Sequence, residues 1–229
     1  SGGLGSPAAY VLARSGIGKL GLVDYDTVEV SNLNRQILHS TETVGMPKVR
    51  SAERYLRTLA PDTEVCTYDQ KFSAANAEEI VSEYDIVIDG LDNLPNRYLL
   101  NDVCYFIRKP FIEAGVLRFD GLATTILPDV SPCYRCIFPE SKEQASVPSC
   151  SETGVLGAVP GVMGVIQALE AMRYITGIGA GLVNKIFIYD ALNADISLVD
   201  VYRSHQCELC GTAPTIKTIK DYDFVCKSK

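Results

Sequence analysis

Four short apolar runs punctuate the first half of the chain: KLGLVD at 19–24, EVCTY at 64–68, DIVID at 85–89 and PFIEA at 110–114. Between them lie segments whose apolar residues recur at helical spacing. Runs of this length read as strands, and those without polar alternation as strands covered on both faces. Strands that alternate with helices in this way imply βαβ units and a mostly parallel sheet. The intervening helices are predicted at 6–15, 47–59, 76–83 and 95–108. Gly16 and Gly18 end the first, and Pro47 opens the second as a first-turn residue.

The rhythm changes after Gly115. Residues 121–127 alternate like an antiparallel strand, 158–175 form a long apolar helix, and 185–189 and 196–202 read as strands. Residues 139–151 have no periodicity, and 212–229 give no clear reading. The expected fold is α/β and Rossmann-like, a mostly parallel doubly wound sheet with an antiparallel extension. The 229 residues fit one such domain, with a nucleotide-binding half at 1–115 and a second half at 116–229.

A core of this size needs no disulfide staples, so the spacing of the eight cysteines carries more weight than their number. Four fall in two C-x-x-C pairs, Cys133/Cys136 and Cys207/Cys210. Such pairs point to a tetrahedral zinc site with four cysteine ligands before disulfides, and four thiolates leave the metal no open position, which makes it structural. Two redox-active pairs are the alternative, although neither stands at a strand-to-helix junction.

With 28 acidic and 21 basic residues the net charge is -7, which speaks against a broad nucleic-acid surface. No apolar stretch reaches the length of a membrane span. No basic segment leads into an apolar one at the start of the sequence as given. The expectation is a cytoplasmic protein without a nucleic-acid or membrane partner.

Ser1–Pro7 reads SGGLGSP, directly before the first helix. Glycines there let backbone N–H groups approach a phosphate, and the helix N-terminus favours the anion. A carboxylate at the end of the next strand, here Asp24, accepts ribose hydroxyls in such folds. Gly2, Gly3, Gly5 and Asp24 alone are also compatible with a nicotinamide enzyme or with a plain glycine-rich turn. The following segments add cations: SNLNRQ brings Asn32, Arg35 and Gln36, and GMPK brings Lys48. Two cations beside a polyphosphate suit attack at an α-phosphate, where they stabilise developing charge; as isolated residues they read equally as solvated surface charges. DGLDN then follows the strand DIVID, placing Asp89 and Asp92 at the C-terminal edge of the sheet. Asp92 suits the Mg2+ that accompanies ATP, or with Asn93 it caps the next helix.

SGGLGSP, VDYDTVEVSNLNRQILH, VGMPKV, DGLDNLPNRY, CYRCIFP, SCSETGVLGAVPGVMGVIQALEAMRYITG and CELCG occur in this order. Together they resemble the ThiF/MoeB branch of the ubiquitin-activating-enzyme superfamily over nearly the whole chain. The resemblance implies Mg-ATP-dependent adenylation of the C-terminal Gly-Gly carboxylate of a ubiquitin-like sulfur carrier protein, in thiamine or molybdopterin biosynthesis. It puts Gly3 and Gly5 against the nucleotide and Asp24 on the ribose. It puts Asn32, Arg35, Gln36 and Lys48 on the phosphates, and Asp92 on Mg2+. It also implies a zinc held by the four paired cysteines, a homodimer, and a carrier-binding role for the 116–229 half. Cys150, in a loop before the long helix, is either a nucleophile or sulfur acceptor or a thiol without a role. The family precedes SGGLGSP with a helix and a strand. The sequence as given is therefore expected to be an N-terminally truncated form, with two unpaired ladders and impaired activity by itself. A tRNA- or peptide-activating relative and a non-catalytic carrier-binding scaffold are the other readings.

Overall fold

The computed structural model describes residues 1–140 and 154–223. The first helix, α1, spans Gly5–Arg14, and β1 follows at Lys19–Asp24. Helix α2 covers Lys48–Leu59, with Val49, Ala52 and Leu56 fully buried along one stripe. Pro47 is not its first residue but its cap, with ψ at 132°. Proline's fixed φ suits both positions, and the bridge of Thr27 to Pro47 holds it extended. β2 at Glu64–Asp69 pairs in parallel with β1, Lys19 opposite Glu64 and Asp24 opposite Asp69.

Helix α3 at Ala77–Ser82 leads to β3, which is only Val87–Ile88. The strand expected at 85–89 is thus trimmed at both ends, although the Asp89 N–H still donates to Ile112 O at 2.9 Å. Helix α4 at Leu94–Phe106 is capped by Asn93, whose Oδ1 accepts from Asn96 N at 3.0 Å. β4 at Phe111–Leu117 and β5 at Asp120–Ile126 form a hairpin. A short helix α5, Tyr134–Ile137, precedes the long α6, Ala158–Thr176, and β6 and β7 lie at Lys185–Asp190 and Asp195–Asp200.

The strands form a parallel pair, β1–β2, and a mixed sheet in the order β3–β4–β5–β6–β7. Only β3–β4 is parallel in the second, so the antiparallel extension makes up most of it. β1 and β3 have no strand on their second edges among the described residues, and both line one cleft. Apolar contacts bridge the two sheets: Leu12 of α1 and Ala168 and Ala171 of α6 pack with Leu20, Ile88 and Ile112. The α1–α6 approach needs Gly164, where a Cβ would lie 2.4 Å from Leu4 O. The tail to residue 223 forms no helix or strand, yet it is docked. The Tyr222 hydroxyl donates to Asp102 and its ring faces the Arg135 guanidinium, 4.8 Å away, while Asp221 accepts from Ala74 N at 2.9 Å. No helix among the described residues is long and apolar enough to cross a membrane.

Candidate active site and metal centre

The cleft between the two sheets, about 710 Å³, runs along the open edges of β1 and β3 from Lys19 to Asp24 and from Val87 to Ile88, and it continues past their C-terminal ends. The C-terminal edge is where open α/β sheets take ligands, because strands end there and helices begin with free N–H groups. Helix α1 begins at Gly5 without a side-chain cap; Ser6 N donates to Gly2 O at 2.9 Å and Pro7 has no N–H, which leaves the Gly5 N–H as its first-turn donor at the cleft. Gly3, Gly5, Asp24, Asn32, Arg35, Gln36, Lys48 and Asp92 all line this one cavity. Every nucleotide-site residue expected from the sequence is brought together there.

Asp24 is the most constrained of them. Its Oδ1 accepts from Asp26 N at 3.0 Å, which closes the turn after β1 over the cleft. Lys48 is buried at the start of α2 and donates to Asp26 Oδ2 at 2.8 Å. Asp26 was not singled out in the sequence. Its place two residues after Asp24, in the motif DYD, is the only local signal for it.

Arg35 follows a 3-10 turn at Val30–Asn32 and is fixed by donating to Ser31 O at 3.1 Å and Asn34 Oδ1 at 2.9 Å. Its aliphatic stem runs over Gly3, where a Cβ would meet Arg35 Cδ at 3.3 Å. Gly3 therefore makes room for the arginine. Gln36 is buried, and its Oε1 has no hydrogen-bond partner. Asp92 is exposed at the cleft rim and accepts from Asn93 Nδ2 at 3.2 Å. The capping role belongs to Asn93, leaving the Asp92 carboxylate for a hard cation, which oxygen donors suit. Tyr25 stands over this rim, 60 % exposed; slight burial and the charges of Asp26, Asp92 and Asp24 push its phenol up. Tyr98, in contrast, is core, and Tyr10 lies beside Tyr55, ring centroids 6.4 Å apart, away from the cleft.

The two C-x-x-C pairs also converge. The Sγ atoms of Cys133, Cys136, Cys207 and Cys210 all lie within 4.8 Å of one another. The pairs Cys133–Cys136, Cys133–Cys207 and Cys136–Cys210 stand at 3.8, 3.5 and 3.3 Å. A tetrahedral Zn2+ with Zn–S of about 2.3 Å needs sulfurs about 3.8 Å apart, so the donor set fits. Backbone N–H groups of Ser204 and Cys210 donate to Cys136 and Cys207 at 3.4 and 3.5 Å, as they do to thiolate charge. The fifth thiol of interest, Cys150, lies outside the described residues.

Sequence reasoning missed a buried cluster beneath the Asp92 turn. Arg97 of α4 lies between Asp89 and Glu113, both fully buried. Burial, tempered by Arg97, pushes Glu113 up to about 8. A lone glutamate in the otherwise apolar strand FIEAGVL was the available signal.

A cleft at the ends of parallel strands, with a glycine-rich helix start, a strand-end carboxylate and two nearby cations, defines a Rossmann-like nucleotide-binding protein. The family model described as ThiF family matches residues 1–210. A SAMP-activating enzyme E1 of Haloferax volcanii is 44 % identical over 225 residues, 98 % of this chain and 83 % of the relative. A sulfur carrier protein adenylyltransferase of Thermus thermophilus is 41 % identical over 231 residues, 99 % of this chain and 85 % of the relative. The Bos taurus adenylyltransferase and sulfurtransferase MOCS3 is 43 % identical, but the match covers only 50 % of its length. Among solved structures, Escherichia coli MccB superposes with a TM-score of 0.79 at 24 % identity, over 92 % of this chain and 64 % of that one. The chain belongs to the ThiF family, and like its adenylyltransferase relatives it is a nucleotidyltransferase.

Proposed function

We propose that this enzyme adenylates the C-terminal Gly-Gly carboxylate of a ubiquitin-like sulfur carrier protein with Mg-ATP. A carboxylate oxygen of the carrier bonds to the α-phosphorus, the bond from that phosphorus to the bridging oxygen of the β-phosphate breaks, and pyrophosphate leaves with the electron pair. ATP brings the electrophilic phosphorus, and Mg2+ offsets charge on the departing phosphates. The chain's own residues then have separable tasks. Asp24 accepts the ribose hydroxyls, and the α1 N-terminus with Gly5 faces the phosphates. Arg35 and Lys48 stabilise the charge that develops as pyrophosphate leaves. Asn32 and Gln36 orient the phosphates, and Asp92 holds Mg2+. The observation that carries this reading is the meeting of Asp24, Arg35, Lys48 and Asp92 in one cleft, in a chain over 40 % identical to a named carrier adenylyltransferase.

The four-cysteine centre is assigned to structural zinc. The second half of the chain, 116–229, is assigned to carrier binding, and thiamine or molybdopterin biosynthesis in the cytoplasm is the setting. A homodimer is supported by apolar side chains left in solvent along α6 and β7, among them Val165, Leu169, Ile196 and Leu198. Cys150 is assigned a step after adenylation, as a sulfur acceptor or as the thiol that bonds to the carrier's acyl carbon while AMP leaves.

The test is exchange of labelled pyrophosphate into ATP, run with carriers ending in Gly-Gly and with the same carriers truncated by one glycine. Exchange that requires the intact terminus supports the proposal. Exchange driven by a free peptide or a tRNA, or ATP binding without any exchange, overturns it in favour of a different substrate or a scaffold.

A further inference from the structure

The turn that presents Asp92 is gripped from below by groups the proposed reaction does not use. Residues 89–91 leave the end of β3, and each polar backbone atom with a described bond there has a specific partner. Arg97 donates from one terminal nitrogen to Leu91 O at 2.9 Å, and Asp89 Oδ1 accepts from Leu91 N at 2.8 Å. Gln167, reaching across from α6, donates to the carbonyls of Asp89 and Ile112 at 2.7 and 3.1 Å. The other Arg97 terminal nitrogen bonds Glu113 of β4, and its Nε lies 3.6 Å from Asp89 Oδ2. The guanidinium thus ties a turn, a strand and its own helix together.

This arrangement is expensive. Asp89 Oδ2, Glu113 Oε2 and Gln167 Oε1 are buried without a hydrogen-bond partner. Buried polar clusters with orphan oxygens cost stability relative to apolar packing, so what such a cluster supplies is geometry. The geometry at stake is local: Asp92 and Asn93 are the first exposed residues after the gripped segment. Asn93 then caps α4, on which Arg97 itself sits, so the loop is closed at both ends.

We propose that Arg97 is a positioning residue that fixes the Asp92 carboxylate for a divalent cation, acting through Leu91 O and the Asp89 side chain. This rests on the reading of Asp92 as the magnesium ligand. Arg97 has no contact with the metal; its effect is to keep the Asp92 oxygen from wandering before the metal arrives, which lowers the ordering cost of binding.

The experiment uses Mn2+ as the probe, read by water-proton relaxation in the presence of a non-hydrolysable ATP analogue, with hydrogen exchange at residues 91–93 in the ligand-free protein. Removing Arg97 alone leaves buried carboxylates unpaired and risks unfolding. Two variants avoid this: R97K keeps the charge, and D89N/R97M/E113Q neutralises the whole cluster. Both are expected to bind Mn2+ about tenfold more weakly and to exchange faster at 91–93. Affinity for the nucleotide without metal should stay within about twofold. Folded variants with parental Mn2+ affinity would overturn the proposal and leave the cluster a purely structural one. If the parent itself takes up no Mn2+ with nucleotide, the function reading fails instead. Exchange at 91–93 then still decides the anchoring, and unchanged exchange rejects it.

Discussion

Stripping the metal from the four-cysteine centre should unlatch the C-terminal segment from the rest of the fold, at a cost the chain connectivity sets. Cys133 and Cys207 are 74 residues apart. Closing a loop of that length in the unfolded chain is worth about 4.4 kcal/mol on a chain-entropy account. A metal bridge adds bond energy to that figure, and the clustered sulfurs left behind subtract little, since Leu209, Tyr105 and Ile216 still pack around them. For a domain of this size each kcal/mol moves the melting temperature about 2–4 °C, so the expected fall is about 9–18 °C. The assay is a thermal melt of protein of known zinc content, before and after dialysis against a strong chelator. Hydrogen exchange should rise at 203–216 first. C136S should reproduce the effect, whereas C66S, at a site remote from the cluster, should not. A change of less than about 2 °C on complete stripping, or purified protein without zinc, would refute the assignment of a structural metal.

Three further outcomes follow from the cleft and its surroundings. K48A and R35A should each lower kcat/KM for pyrophosphate exchange by about 10²–10³, the scale for losing one charge-stabilising donor; equal activity would remove that residue from the mechanism. Glu113 keeps its proton in the folded chain up to about pH 8, whereas an unfolded glutamate loses it near its ordinary value. The native state therefore binds more protons in that window. Stability should decline as pH rises, by about 1.4 kcal/mol per unit, between about pH 5 and 8. Urea melts of E113Q should show a shallower slope, since burial pushes Asp89 up as well, and curves parallel to the parent would contradict it. G164A should cost more than about 2 kcal/mol by forcing α6 off Leu4 and Pro7, since a Cβ there lies 2.5 Å from Pro7 Cγ; a melt shifted by less than about 2 °C would argue against the close packing.

Local pattern made much of this protein readable before folding was considered. The βα alternation, the glycine-rich helix start, Asp24 at a strand end and the C-x-x-C pairs are set by residues adjacent in sequence, and each carries its meaning in period, propensity or spacing. Helix α4 is a good case: Asn93 then Pro95 announces a capped start, and it begins at Leu94. The tertiary structure decided what distant residues do to one another. Lys48 was legible as a cation, but that it pairs with Asp26 depends on β1 and α2 packing side by side. Glu113 carried no reading of its own in the strand PFIEA; its meaning came from Arg97, 16 residues earlier, lying against it in the fold. β3 shrank to two residues because a ladder needs a neighbour in register, which no stretch of sequence specifies alone. Chemical type is written locally; partners, burial and hence charge state are fixed only when the chain brings remote segments together.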